Sequence, residues 1–176
     1  MYNVKGFTLT ELLMVLIIIS VTLAIGLPNF QSLIISSRLT SSANAMVSAL
    51  QLARFEALKQ QKNVVIANKN GQWANGWIVF IDEKMQNNQL DDGESVLVSF
   101  DALHSSLVVK IPTSYKNYVY YNKYGRINDN GTFSFCSSSV LDDFRSVVIA
   151  LTGRVHIESS TTKPAAKYET NCKIAT

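Results

Sequence analysis

The chain opens on an unbroken apolar stretch: from Phe7 to Leu27, 21 residues carry a single charge, at Glu11. A helix of about 20 apolar residues spans a bilayer core, so this run predicts a membrane-crossing helix. Six residues stand before it, Met1 to Gly6, and Lys5 among them is expected to stay on the cytoplasmic side, sending the rest of the chain outward. From Phe30 to Gln61 there is no glycine or proline, and apolar or small residues recur at Leu39, Ala43, Met46, Val47, Leu50, Ala53, Ala57 and Leu58. Polar Arg38, Asn44, Ser48, Gln51, Arg54 and Lys59 fill the positions between. This spacing predicts an amphipathic helix that lays one face on a packed domain. A helix from Phe7 to about Gln61 has a length on the order of 80 Å. After Asn63 the pattern turns to short β-prone runs separated by turn residues. Strands are expected at Val64 to Ala67, Gly76 to Ile81, Ser95 to Phe100, Leu107 to Ile111, Tyr118 to Tyr121 and Gly131 to Cys136, then at Ser146 to Leu151 and Arg154 to Ile157 across a Thr152-Gly153 turn. The fold class is therefore α+β: a long N-terminal helix, transmembrane in its first half, packed on a C-terminal antiparallel β-rich head. Residues 158–171, rich in Ser, Thr and Lys, read as a loose tail closed by Cys172.

The apolar run differs from an ordinary secretory signal, which has a region of 7 to 15 apolar residues before a small-residue cleavage site. Here the run is longer, no Ala-x-Ala site follows, and the helical pattern continues past Ser36, so it reads as a retained anchor. Pro28, next to Gly26 and Leu27, either kinks the helix at the membrane exit or ends one helix and starts another. The expected division is residues 1–6 as a leader, 7–29 as the transmembrane half of the helix, 30–62 as its amphipathic half and 63–176 as the head.

Composition sharpens this picture only locally. The 176 residues are 47% hydrophobic and 16% charged, with much of the apolar bias confined to the first helix, which leaves an average domain behind it. A net charge of +3 with both signs scattered argues against a protein built to coat nucleic acid. From Asp101 onward nine Lys or Arg face six Asp or Glu, a weak basic bias. The two cysteines, Cys136 and Cys172, lie outside the apolar segment, and on an exported domain they read most simply as one disulfide, the alternative being two unpaired thiols.

Lys5-Gly6-Phe7-Thr8-Leu9-Thr10-Glu11-Leu12-Leu13 resembles the prepilin motif of type IV pilins and type II secretion pseudopilins. The resemblance implies that a membrane prepilin peptidase cuts between Gly6 and Phe7 and methylates Phe7 as the new amino terminus. It implies as well that Glu11 serves assembly, paired with the terminal amine of a neighbouring subunit. The physics agrees, since a lone carboxylate in hydrocarbon is costly and marks a functional site with a partner. Pro28 falls where many members of the family carry a proline. Further on, Gly76-Trp77-Ile78-Val79-Phe80-Ile81-Asp82, Asp91-Asp92-Gly93-Glu94, Tyr124-Gly125-Arg126 and the Val147-to-Arg154 region resemble the head of GspH/FimT-type minor pilins. The resemblance implies the type IV pilin fold and a role in priming assembly of a pilus or pseudopilus near its tip. The implied partners are other minor and major pilins, the peptidase and an inner-membrane assembly platform. The implied place is the inner membrane, crossed once with the head in the periplasm, and then an extracellular pilus or periplasmic pseudopilus.

Other chemistries find less to stand on. No nucleophile-elbow serine, phosphate-binding glycine loop or histidine pair at metal spacing is present, so no catalytic residue, metal or cofactor is expected. His104 and His156 lack flanking motif residues. Asp82, Glu83, Asp91, Asp92 and Glu94 could offer oxygens to calcium, but not at the alternate-residue spacing of an EF-hand, and a solvated hairpin loop is the plainer reading. Some FimT-like minor pilins are associated with DNA capture through a Gly-Arg-x-Arg motif. The matching stretch here is Gly153-Arg154-Val155-His156, and a histidine in place of the second arginine is mostly uncharged at neutral pH, so Arg154 and His156 stand only as a weakened candidate for DNA contact.

Overall fold

A computed structural model describes residues 6–83, 87–137, 143–159 and 172, with the side chains of 24–29 outside that description. Helix α1 runs from Leu9 to Gln60. Eight strands follow: β1 (Asn63–Lys69), β2 (Gln72–Asp82), β3 (Val96–Phe100), β4 (Leu107–Lys110), β5 (Tyr118–Tyr121), β6 (Gly131–Ser137), β7 (Phe144–Ile149) and β8 (Val155–Ser159). The chain divides into two compact units, Met1–Ile35 and Ser36–Thr176.

In the first unit, the helix begins at a reciprocal cap. The Thr8 hydroxyl accepts from the Glu11 N–H at 3.3 Å, while the Glu11 carboxylate accepts from the Thr8 N–H at 3.3 Å and the Thr8 hydroxyl at 3.2 Å. This satisfies donors that a helix start leaves open. The side chains from Leu9 to Leu23 are exposed all round the helix, Leu9 at 77% and Ile18 at 65%. Ser20 and Thr22 hide their hydroxyls by donating to the carbonyls of Leu16 and Ile18. Among the described residues, no helix is long and apolar enough to cross a membrane. The expected apolar run extends to Leu27 and Pro28 follows it, so both reach into positions whose side chains lie outside the description; the backbone of α1 is helical through Pro28.

In the second unit, the helix buries Leu39, Ala43, Met46, Ala49, Leu50, Ala53, Glu56 and Ala57. The steps of three and four keep these on one stripe, and four alanines let a flat sheet surface come close. Leu58, expected on that stripe, is instead 44% exposed, since it stands one residue past Ala57 and at the stripe's edge. Gln61, at φ 56, ends the helix in the left-handed region.

Two antiparallel four-stranded sheets form the head, in the orders β3-β2-β1-β5 and β4-β6-β7-β8. Asn70 and Gly71, at φ 52 and 74, make the two-residue turn between β1 and β2, the conformation a tight hairpin needs. Strand β2 therefore starts at Gln72, earlier than the expected Gly76, and Gly76 sits within it at φ 94. A Cβ there would lie 2.3 Å from the Phe100 carbonyl oxygen, so only glycine lets the strand pass so close. Trp73 of β2 packs edge-on against Phe133 of β6 at 4.8 Å, and Phe133 stacks on Tyr115 at 5.3 Å. The Trp73 indole N–H donates to the Tyr115 carbonyl at 2.7 Å, which ties β2 to the segment between β4 and β5, while the Trp73–Phe133 contact joins the two sheets.

Strand β7 spans Phe144–Ile149, two residues earlier than expected, because Ala150 to Gly153 form the turn. Glu158 and Ser159, expected in the tail, belong to β8 and pair with Ser146 and Arg145. Residues 160–171 lie outside the described set, but Cys172 is disulfide-bonded to Cys136 of β6, with Cα atoms 5.8 Å apart.

Candidate functional site

Two places carry the residues that the sequence singled out. The first is the amino-terminal junction. Phe7 is 80% exposed, and nothing lies within 4 Å of the position a Cβ would take on Gly6. The bond between them is thus open to an approaching protein. Glu11 sits one helical turn inside, held by Thr8. Sequence reasoning had missed Thr8, although Thr-x-x-Glu ahead of an apolar run is the pattern of a capping box.

The second place lies in the head, where two turns of the same design meet. Asn122-Lys123-Tyr124-Gly125 closes with the Gly125 N–H on the Asn122 carbonyl at 2.8 Å, and Ala150-Leu151-Thr152-Gly153 closes with the Gly153 N–H on the Ala150 carbonyl at 2.7 Å. Both glycines have positive φ, 68 and 79, and an arginine follows each. The turns touch: a Cβ on Gly153 would lie 2.3 Å from the Gly125 carbonyl oxygen and 2.8 Å from the Tyr121 ring. A Cβ on Gly125 would lie 3.0 Å from Leu58 of α1.

Arg54 secures this meeting from the helix. Its guanidinium donates to the carbonyls of Gly153 at 3.2 Å and Thr152 at 3.1 Å. The Tyr121 hydroxyl also donates to the Gly153 carbonyl at 3.2 Å. Burial pushes this hydroxyl up to about 12, with the Arg54 charge pulling the other way. Arg54 had been expected only as a polar spacer on the helix, and nothing in its spacing distinguishes it from Arg38 or Lys59. Arg126 and Arg154 remain exposed on the two turns. The His156 ring lies 3.3 Å from the Glu158 carboxylate, so the position of the second motif charge faces an acid.

The remaining candidates are engaged within the fold. His104 Nδ1 meets the Arg38 guanidinium at 3.2 Å and the Ser106 N–H at 3.1 Å, tying a loop to the helix. In the acidic stretch, Glu94 accepts from the N–H groups of Glu83 at 2.9 Å and Asp91 at 3.0 Å, and Asp82 accepts from that of Asn88 at 2.9 Å. These carboxylates shape their own loop. Among the described residues, no three His, Cys, Asp or Glu converge as a metal site.

Two family models match the chain. The family described as type II transport protein GspH matches residues 42–153, and the prokaryotic N-terminal methylation motif matches residues 1–27. The type IV minor pilin FimU of Pseudomonas aeruginosa is similar at 25% identity and a TM-score of 0.58, over 73% of this chain and 93% of that one. The minor pseudopilin EpsH from the type 2 secretion system of Vibrio cholerae shares the fold at 13% identity and a TM-score of 0.51, over 69% of this chain and 97% of that one. No protein of curated function matches.

Proposed function

Because the chain belongs to the GspH family of type II transport proteins, we propose that it works as a minor pilin, a structural subunit that helps to start and build a type IV pilus or a secretion pseudopilus near its tip. The observation that carries this reading is the union, in one chain, of an N-terminal methylation motif over residues 1–27 and a GspH head over residues 42–153.

In this reading, residues 1–6 are a leader that prepilin peptidase removes at the exposed Gly6–Phe7 bond, and the same enzyme methylates Phe7. The apolar run of residues 7–29 then holds the subunit in the inner membrane, with the head in the periplasm, until an assembly platform moves it into the filament. The uncovered apolar side chains from Leu9 to Leu23 suit first lipid and then the packed helices of other pilins. Glu11 turns from its local bonds with Thr8 to the terminal amine of a neighbour, because two opposite charges in apolar surroundings need each other. Pro28 loosens the helix where it leaves the membrane.

A catalytic role has no support, since the family and its relatives are structural subunits. A secretion pseudopilin remains the closest alternative. DNA capture is less favoured: Arg154 is exposed, but His156 faces Glu158, and phosphate binding needs several free cations.

Sequencing of the mature protein tests the reading and is expected to begin at N-methyl-Phe7. An intact Met1, or cleavage beyond Leu27, overturns it. Glu11→Gln is expected to leave the protein stable and membrane-inserted yet absent from filaments.

A further inference from the structure

Where the two glycine turns meet α1, the head leaves Phe55, Leu58, Tyr124 and Leu151 exposed to solvent, Phe55 at 60% and Tyr124 at 69%. Phe55 and Leu58 stand one turn apart on the helix, so their side chains are neighbours. Leu58 borders the first glycine turn, since a Cβ on Gly125 would lie 3.0 Å from its side chain, and Tyr124 is the residue before that glycine. Leu151 belongs to the second turn, whose Thr152 and Gly153 carbonyls accept from Arg54, the neighbour of Phe55 along the helix. Large apolar side chains gathered in one place on a domain surface mark a contact with something else.

The same place is positively charged. An exposed arginine follows each turn, Arg126 and Arg154, and neither makes an ion pair among the described residues. Lys123 lies over the Tyr124 ring at 5.3 Å, and Lys59 over the Phe55 ring at 5.8 Å. Residues 122–126 and 150–154 contain no acid, and Glu56, beside Phe55, is buried and held by Lys59 at 3.2 Å and Gln60 at 2.6 Å. Charge complementarity therefore asks for an acidic partner, and the apolar side chains ask for one that brings apolar groups of its own. A DNA duplex meets only the first demand. Its affinity comes from cations on phosphates, Lys59 is already shared with Glu56, and Leu58 and Leu151 have nothing to offer a phosphate.

We propose that this face docks a neighbouring filament subunit, through a surface segment on which acidic residues flank an exposed leucine or phenylalanine. The proposal rests on the filament-subunit reading above. The apolar side chains supply affinity, while the cations orient the partner and speed the encounter. Arg54 ties the second turn to the helix, so the face is held in shape before the partner arrives.

The test uses the full chain in phosphatidylcholine nanodiscs and, as probe, a fluorescent peptide of alternating glutamate and leucine. Saturable binding is expected, weakened at least about tenfold by Phe55→Ser and by Arg154→Glu, and unchanged by Leu90→Ser, which removes an exposed apolar side chain from the acidic stretch. Both test variants are expected to melt with the parent, and one that melts lower is replaced by Leu151→Ser or Arg126→Glu. No saturation, equal binding by parent and variants, or equally tight binding of a glutamate–serine peptide overturns the proposal. Displacement of the peptide by a short DNA duplex at lower concentration also overturns it and makes the face a nucleic-acid surface. In cells, Phe55→Ser and Arg154→Glu are expected to reach the membrane at the parent's level but to enter filaments at least about tenfold less often. If they enter filaments as the parent does, the docking face falls and the filament reading stands; if the parent itself is absent from filaments, the filament reading falls and takes the docking face with it.

Discussion

At the scale of single residues, the Gly-Arg pair at 153–154 divides into two jobs. Gly153 is structural: its φ of 79 and the 2.3 Å approach of the Gly125 carbonyl exclude any side chain. Gly153→Ala is expected to lower the stability of the head by at least about 2 kcal/mol, since a left-handed non-glycine residue alone costs 1–3 kcal/mol and the clash adds to it. Arg154→Ala, on an exposed turn, is expected to stay within about 0.5 kcal/mol of the parent. Urea unfolding of both variants checks this, and equal losses would contradict it. Tyr121, beneath the same turn, makes the head sensitive to alkali. Its folded value of about 12 lies above its ordinary 10.0, and Tyr115 is raised still further, first by burial and then by Asp129. A raised value means that the folded chain keeps a proton the unfolded chain loses. The stabilising effect is therefore whole below pH 10 and declines as pH rises from about 10 to about 12, by roughly 1.4 kcal/mol per pH unit for each group. Tyr121→Phe is expected to lessen that slope in melting curves taken across this range. None of this network could be read in the sequence, because Arg54, Tyr121 and Gly153 lie far apart along the chain and only the fold joins them.

At the scale of elements, the sequence was read most easily where one pattern ruled. The buried stripe from Leu39 to Ala57 follows the three-and-four spacing, and all eight expected strands exist. Errors came at the ends, where turn chemistry competes with β-propensity. Asn70-Gly71 turns the chain between β1 and β2, so the earlier start of β2 was signalled by a dipeptide whose meaning lay outside the hydrophobic alternation. The alternation predicts a strand start at Gly76, but the lack of a side chain there serves the close pass of β3's end. The disulfide acts at this scale too, since it fastens Cys172 to β6 across a separation of 36 residues. Closing such a loop is expected to stabilise the head by about 3 to 4 kcal/mol. Denaturant unfolding with and without reductant measures it, and an unchanged midpoint would show that the bridge contributes nothing.

At the scale of the whole molecule, the two units answer to different surroundings. Among the described residues of the Met1–Ile35 unit, the apolar side chains from Leu9 to Leu23 are exposed on every side while Thr8, Glu11, Ser20 and Thr22 bond within the unit, whereas the Ser36–Thr176 unit closes its core beneath two sheets. The amino-terminal motif was legible because it is local: Gly6, Phe7 and Glu11 stand within one short stretch. The internal bonds of the acidic stretch were not, because they join Glu83, Asp91 and Glu94 only once the loop is folded; from sequence the stretch reads as a solvated hairpin loop, with calcium the weaker alternative. The seam between the sheets has one more consequence. Of the two tryptophans, Trp73 bridges to Phe133 of the opposite sheet, and Trp77 stacks on Phe100 within its own. Their fluorescence therefore reports two separate events. With Trp77→Phe, the remaining emission follows the parting of the sheets, and with Trp73→Phe it follows the fraying of one sheet, so the order in which the head comes undone can be watched by light.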